Sequence, residues 1–169
     1  MLCYNHLERR AVLTKDGIKT IAYNRKASFD YELLDFYEAG IVLKGTEVKS
    51  LRNGAVNLRD AYAYVKDGEV FISAMHISHY DKGNINNVDP DRDRKLLLHK
   101  DEIYKIFSKM QQKGFTLVPT KIYFRKNKVK IELALARGKK HYDKRDSIRK
   151  NEADREIQKR LKDSSYSGA

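Results

Sequence analysis

Two histidines three residues apart, His76 and His79, and the run Asp89-Pro90-Asp91-Arg92-Asp93-Arg94 are where this sequence could hold a metal. The acidic run opens like a calcium loop, which needs Gly at its sixth position and Glu at its twelfth. Arg94 and Lys100 stand there instead, so the loop is excluded. The aspartates are expected to pair with Arg92, Arg94 and Lys95. His76 and His79 would share a helical face, but Phe71–Ile77 reads as strand, where i and i+3 point to opposite sides. Core or surface histidines are the expectation. A His-based nuclease needs two groups placed on one phosphate, and the sequence does not show that pair. No G-x-x-x-x-G-K-[ST], G-x-S-x-G, H-E-x-x-H or G-x-G-x-x-G occurs. The single cysteine, Cys3, excludes an internal disulfide framework and a Cys-rich zinc site, and a reducing cytoplasm is the expected setting. No catalytic residue, metal or cofactor is predicted.

The positive chemistry is that of a polyanion binder. Lys plus Arg is 35 against 23 Asp plus Glu, a net charge of +12. Such a charge suits nucleic acid or an acidic membrane. No apolar run approaches the roughly 18 residues of a membrane span. Asn5, His6 and Glu8 stand where a signal peptide would be apolar, so neither leader nor lipid anchor is expected. Basic residues alternate with rings in Tyr23-Asn24-Arg25-Lys26, Lys121-Ile122-Tyr123-Phe124-Arg125-Lys126 and Lys139-Lys140-His141-Tyr142. Lys and Arg can hold phosphates while rings stack on unpaired bases. Rings inside strands can equally be core.

The elements that must position these groups are mostly strands. Lys128 to Leu135 alternates, with Val129, Ile131, Leu133 and Leu135 on one face and Lys128, Lys130 and Glu132 on a wet, basic one. Phe115 to Phe124 precedes it, with Arg125-Lys126-Asn127 as the turn. Asp67-Gly68 between Tyr62–Lys66 and Glu69–Ser73 predicts a second hairpin with a type I′ turn. Asp30 to Leu43 reads as a strand bent at Ala39-Gly40. Short antiparallel strands in this number predict a closed barrel or sandwich. Ile103, Ile106, Phe107 and Met110 fall at helical spacing and predict a helix over 99–113, with Gly114 past its end. A shorter helix is expected from Thr46 to Arg52.

Near Gly138 the composition changes. Residues 137–162 hold 11 Lys or Arg and 5 Asp or Glu, about half the net charge, and few apolar groups. The core strands are therefore expected to end at Leu135. Asp143 to Lys162 has good helix formers but only a narrow apolar stripe of Ala153, Ile157 and Leu161. Such a helix is marginal alone in water. It is either a solvated end or a segment that orders on RNA. The resulting division is an N-terminal extension over 1–17, an RNA-binding β-barrel over 18–137 and a basic tail over 138–169, helical when bound.

Several blocks then occur together in fixed order: Ile21-Ala22-Tyr23-Asn24-Arg25-Lys26-Ala27, Glu38-Ala39-Gly40-Ile41-Val42-Leu43, Gly45-Thr46-Glu47-Val48-Lys49-Ser50-Leu51-Arg52, and Asn57-Leu58-Arg59-Asp60-Ala61-Tyr62. Arg94-Lys95-Leu96-Leu97-Leu98-His99-Lys100, Gly138-Lys139-Lys140 and Tyr142-Asp143-Lys144-Arg145 follow. In this arrangement residues 18–150 resemble the SmpB family of SsrA-binding proteins, the bacterial partners of transfer-messenger RNA. The resemblance implies a mainly β fold, an oligonucleotide-binding-type antiparallel barrel with flanking helices and a basic C-terminal tail. It implies an adaptor and not an enzyme. Such an adaptor binds the tRNA-like domain of transfer-messenger RNA, stands in for its missing anticodon arm and delivers it to stalled ribosomes for peptide tagging. The implied partners are that RNA, the small-subunit decoding centre and message channel, and elongation factor Tu through the aminoacylated RNA, all in the cytoplasm.

The same resemblance implies roles for residues. Asn24, Arg25 and Lys26 would lie at the RNA face, the cations on phosphate and Asn24 on a base or sugar edge. Glu38 would accept from donors such as a guanine edge, unless it merely pairs with a neighbouring Lys. Tyr62 and Leu98 would add stacking and apolar contact, with Lys49, Lys139 and Lys140 as further RNA-binding cations. Tyr142, Asp143, Lys144 and Arg145 would touch ribosomal RNA at the decoding centre. Beyond Arg145 the tail has no aromatic until Tyr166, so it offers no mid-tail anchoring ring. Two other readings stay open: a ribosomal or translation-factor barrel without this RNA partner, and an RNA-processing enzyme using His76 or His79.

Overall fold

A computed structural model of the chain describes residues 17–112 and 114–139. Its strands are β1 (Ile18–Tyr23), β2 (Tyr31–Ile41), β3 (Val56–Asn57), β4 (Tyr62–Lys66), β5 (Glu69–Ser73), β6 (His76–Ile77), β7 (Arg94–Leu97), β8 (Phe115–Arg125) and β9 (Lys128–Gly138). The helices are α1 (Arg25–Asp30), α2 (Gly45–Arg52) and α3 (Lys100–Met110). No described helix is long and apolar enough to cross a membrane.

The antiparallel pairings run in a ring. β8 pairs with β4, β4 with β5, β5 with β7, β7 with β2, β2 with β9, and β9 returns to β8. A ring without free edges is a barrel, which removes the exposed ladders that invite aggregation. β1 lies outside it, on the Lys121–Arg125 end of β8, while β4 takes the Leu117 end of the same edge.

Alternation decides what goes inside. Val70, Ile72, Leu96, Leu117, Ile131 and Leu133 are inaccessible or nearly so. α3 adds Ile106 to that core, as its helical spacing requires. Two register shifts, between Leu33 and Phe36 in β2 and between Pro119 and Lys121 in β8, reset the side-chain parity. After them Phe36 stands opposite Ala134, and Lys121 opposite Glu132. A second, smaller cluster forms outside the barrel, where Ala27 of α1 packs on Val118, Ala134 and Ala136. That contact fixes α1 on the outer face of β8 and β9.

Both hairpins form, the first turning at the predicted Asp67-Gly68 and the second on Lys126 and Asn127 alone, with Arg125 still paired to Lys128. Asp67 and Gly68 have φ of 52° and 73°, and Lys126 and Asn127 have 48° and 62°. A two-residue turn of this handedness matches the strand twist.

Five expectations change. The strand read over Phe71–Ile77 breaks after Ser73, where Ala74 has φ of 54°, and a separate strand begins at His76. α1 was not foreseen, because six residues carry too little periodicity to read. The irregularity in β2 falls at Leu33–Phe36 and not at Ala39-Gly40. Gly40 serves close approach instead, since a Cβ there would lie 3.2 Å from Leu97 Cβ. β9 does not stop at Leu135: Ala136 is buried, and Arg137 and Gly138 pair with Glu32 and Tyr31 of β2. Finally, Arg92 and Arg94 pair with Glu47 and not with the aspartates, and Lys95 pairs with Glu69. Burial explains this choice, because a fully buried guanidinium needs a buried acid. Asp91 instead meets His76, and Asp93 accepts from Tyr64. The tail helix expected over 143–162 lies outside the described residues.

Candidate nucleic-acid interface

β1 ends at Tyr23, and the chain turns into α1 through Asn24. Asn24 is 7% exposed and fully bonded. Its Oδ1 accepts from Ala27 N at 3.1 Å, capping α1, and its Nδ2 donates to Leu58 O at 2.7 Å and Pro119 O at 3.0 Å. The side chain predicted to meet a base or sugar edge is thus bonded within the protein. Its amide clamps three segments and presents the next two residues, Arg25 and Lys26, to solvent. Two open clefts flank this clamp, of about 510 and 310 Å³. Arg25 and Arg59 line the first; Lys26, Arg59 and Tyr62 line the second. Lys26 Nζ donates to Asp60 at 2.7 Å, and that proton donor holds the Asp60 carboxyl below its usual range. Among the described residues neither Arg25 nor Arg59 forms an ion pair.

The same outer face continues along β8, β9 and β2. Asn24 N donates to Thr120 O at 2.7 Å, and Thr120 Oγ1 donates to Glu132 Oε1 at 2.7 Å. Lys121 Nζ lies 2.8 Å from Glu132 Oε2 and 5.8 Å from the Tyr123 ring centroid. The Tyr123 hydroxyl donates to Glu38. Arg125 Nη1 donates to both Glu38 oxygens, at 3.1 and 3.0 Å, and Lys130 Nζ stands 3.6 Å from Oε1. The hydrogen bond from Tyr123, more than the charges of Arg125 and Lys130, keeps the Glu38 carboxyl below its ordinary value, against the opposing effect of burial. Burial, reinforced by the Glu38 hydrogen bond, pushes the Tyr123 phenol up. Glu38 is therefore an anion at neutral pH, in a band otherwise rich in cations. Carboxylate oxygens and guanidinium groups on one face can bind RNA base edges and phosphates together.

The predicted residues do not all join this band. Arg25, Lys26, Glu38 and Tyr62 do. Leu98 is half-buried and packs on the barrel core. The exposed leucine is Leu97, 53% accessible, whose side chain lies beside Gly40, two residues along β2 from Glu38. Alternation carried past the end of β7 turns Leu98 toward the core and leaves Leu97 facing solvent. Lys49 stands on α2 with its ammonium 5.3 Å from the Tyr80 ring centroid. Lys139 Nζ donates to Ser28 O at 2.9 Å and its backbone N–H to Asp30 O at 3.0 Å, which ties the end of β9 to α1. Lys140, Tyr142, Asp143, Lys144 and Arg145 lie outside the described residues.

Tyr123, Arg125, Lys130, Arg59 and Leu97 were not predicted as site residues. The wet face of β9 announced Lys130, and the basic-aromatic block held Tyr123 and Arg125. Their convergence on Glu38 depends on β2 lying beside β9, which is a long-range pairing. His76 Nδ1 meets Asp91 at 3.0 Å and His79 Nε2 meets Val88 O at 3.2 Å, so the two imidazoles have separate partners.

Comparison with known proteins follows the same line. The family described as SmpB protein matches residues 21–163. The SsrA-binding protein of Caldicellulosiruptor saccharolyticus is 59% identical over 149 residues, covering 88% of this chain and 94% of its own. That of Acetivibrio thermocellus is 59% identical over 151 residues, covering 89% and 98%. That of Clostridium botulinum is 54% identical over 151 residues, covering 89% and 97%. A solved structure described as "tmRNA-SmpB: a journey to the center of the bacterial ribosome" superposes with a TM-score of 0.61 at 54% identity, covering 71% of this chain and 85% of that one.

Proposed function

The chain belongs to the SmpB protein family, and from that premise we propose that it binds the tRNA-like domain of transfer-messenger RNA and carries it to stalled ribosomes. The carrying observation is the pair of clefts lined by Arg25, Lys26, Arg59 and Tyr62, linked through Asn24, Thr120 and Glu132 to Glu38, which pairs in register with Glu132. Phosphates meet Arg25, Lys26 and Arg59. Tyr62 offers a half-exposed ring for a base. Glu38 takes donors from base edges, a role that a purely electrostatic RNA binder would not need. Asn24 acts from behind, holding the clamp in shape.

The remaining parts of the reading concern the ribosome. The basic tail from residue 138 enters the message channel, with Tyr142, Asp143, Lys144 and Arg145 at the decoding centre. Elongation factor Tu joins through the aminoacylated RNA. The protein works in the cytoplasm as an adaptor, without a catalytic step of its own. Sequencing the RNA that co-purifies with the protein tests the assignment. Transfer-messenger RNA is the expected dominant species; ribosomal RNA alone would replace this reading with that of a general translation barrel.

A further inference from the structure

Glu38 is already occupied. Its carboxylate holds the Tyr123 hydroxyl, both contacts of Arg125 at 3.1 and 3.0 Å, and Lys130 at 3.6 Å. These partners differ in position. Tyr123 is only 4% exposed and lies under the carboxylate. Arg125 closes β8 at the hairpin, with its side chain 47% exposed, and reaches Glu38 from the solvent side. Of the two groups that donate hydrogen bonds to Glu38, Arg125 is therefore the one that a donor arriving from RNA can displace.

Carboxylate and guanidinium have opposite needs. The first only accepts hydrogen bonds and the second only donates them. A folded RNA offers both kinds of group, base N–H donors and phosphate oxygens. We propose that Glu38 and Arg125 exchange partners when RNA docks: Glu38 turns to base-edge donors while Arg125 turns to a phosphate of the same RNA, with Tyr123 holding the carboxylate in place throughout. The inference rests on the reading of this face as the transfer-messenger RNA interface. It assigns Arg125 a direct RNA contact. It also gives the ion pair a selective role, since a polyanion without a suitably placed donor edge would have to break the pair without satisfying Glu38.

The exchange has a sign that a static arrangement lacks. If the pair breaks on binding, its energy opposes binding in the wild type and is absent in Glu38→Gln. Removing Arg125 then costs more affinity in the Glu38→Gln background than in the wild type. An exposed pair is worth a factor of about 1.5 to 5 in an equilibrium, which sets the expected difference. If instead Arg125 only orients Glu38, its removal costs affinity in the wild type and nothing once Glu38 is Gln.

The experiment measures binding of transfer-messenger RNA to the full chain, to Glu38→Gln, to Arg125→Gln and to the double variant, across a range of salt. The expected result is a larger loss from Arg125→Gln in the Glu38→Gln background, with a log–log salt slope lower by about one unit in both backgrounds. Unchanged unfolding midpoints check the fold of each variant. An Arg125→Gln effect confined to the wild-type background overturns the exchange while leaving RNA binding itself intact. Absence of binding by the wild type removes the exchange together with the reading beneath it.

Discussion

Arg94 Nε donates to Glu47 Oε1 at 2.8 Å, and both side chains are shut away from water. The guanidinium also donates to the carbonyls of Met75, Pro90 and Arg92, at 2.7, 2.8 and 2.9 Å. Glu47 Oε2 takes Arg92 Nη2 at 2.6 Å and the Lys44 backbone N–H at 2.6 Å. One carboxylate thus joins the start of α2 to the segment that leads into β7. Burial raises the Glu47 pKa, and the hydrogen bonds from Arg92, Lys44 and Arg94 more than offset this, leaving it below the ordinary value of 4.5. Burial likewise lowers the Arg94 pKa, with Glu47 opposing.

Glu47→Gln is expected to destabilise the barrel by about 3–5 kcal/mol, because it leaves a buried cation without its charge partner. The wild-type contribution should be complete above the ordinary glutamate value and fade as pH falls through the lowered one. Urea unfolding at about pH 6 and about pH 3 measures both effects. Equal acid sensitivity in wild type and variant would sink the assignment.

Glu38→Gln tests the other carboxylate. Its side chain is 35% exposed, and the role proposed for it is binding. A hydrogen bond to a charged group is worth ~1.5–3 kcal/mol, so transfer-messenger RNA affinity should fall about tenfold or more with the unfolding midpoint little changed. Tyr123→Phe should lower affinity in the same direction by a smaller factor, since it loosens the carboxylate without removing it. Unchanged affinity in Glu38→Gln at moderate salt would mean that Glu38 only balances local charge.

Leu97 and Leu98 separate binding from packing. Leu98→Ala should cost stability of about 2 kcal/mol, scaled down from a fully buried leucine because the side chain is half-exposed. Leu97→Ala should leave stability within about 0.5 kcal/mol and weaken RNA binding. Denaturant titration and a binding isotherm on each variant decide the matter; the reverse pattern would return the contact to Leu98.

Much of this was legible before any coordinates. The clean alternation of β9, the Asp67-Gly68 turn and the i, i+3, i+4, i+7 pattern of α3 are local signals, and they appear where expected. The missing pieces are not local. α1 exists because Asn24 finds Leu58 O and Pro119 O, 34 and 95 residues away in the chain. The pairing of Glu47 with Arg92 and Arg94 could not be chosen over nearby aspartates without knowing what is buried. Leu97 and Leu98 are adjacent and alike, and only the packing at the end of β7 tells them apart.

Lys26 addresses the phosphate contacts. It already pairs with Asp60 at 2.7 Å on an exposed surface, where such a pair is weak. Lys26→Ala should therefore lower affinity for transfer-messenger RNA and reduce the log–log salt slope by roughly one unit at most. A flat salt response in the wild type would remove the phosphate-binding assignment of this face.

Truncation divides the molecule. Cutting after Leu135 removes Ala136, Arg137 and Gly138, which pair with Leu33, Glu32 and Tyr31 of β2, and it strips Ala136 from the cluster beneath α1. That protein is expected to unfold at lower denaturant. Cutting after Lys139 keeps those pairs and the two bonds of Lys139 to α1. It removes nine Lys or Arg and six Asp or Glu, hence +3 of the +12. The shorter chain should fold and bind transfer-messenger RNA with a modest, salt-screened loss. Peptide tagging should fail almost completely, because residues 140–169 carry the length and positive charge suited to an RNA-lined channel. Replacing Asp143, Lys144 and Arg145 together with Ala should copy that loss while RNA affinity stays near that of the full chain. Normal tagging by the chain cut after Lys139 would make the tail a solvated end and assign ribosome entry to the barrel.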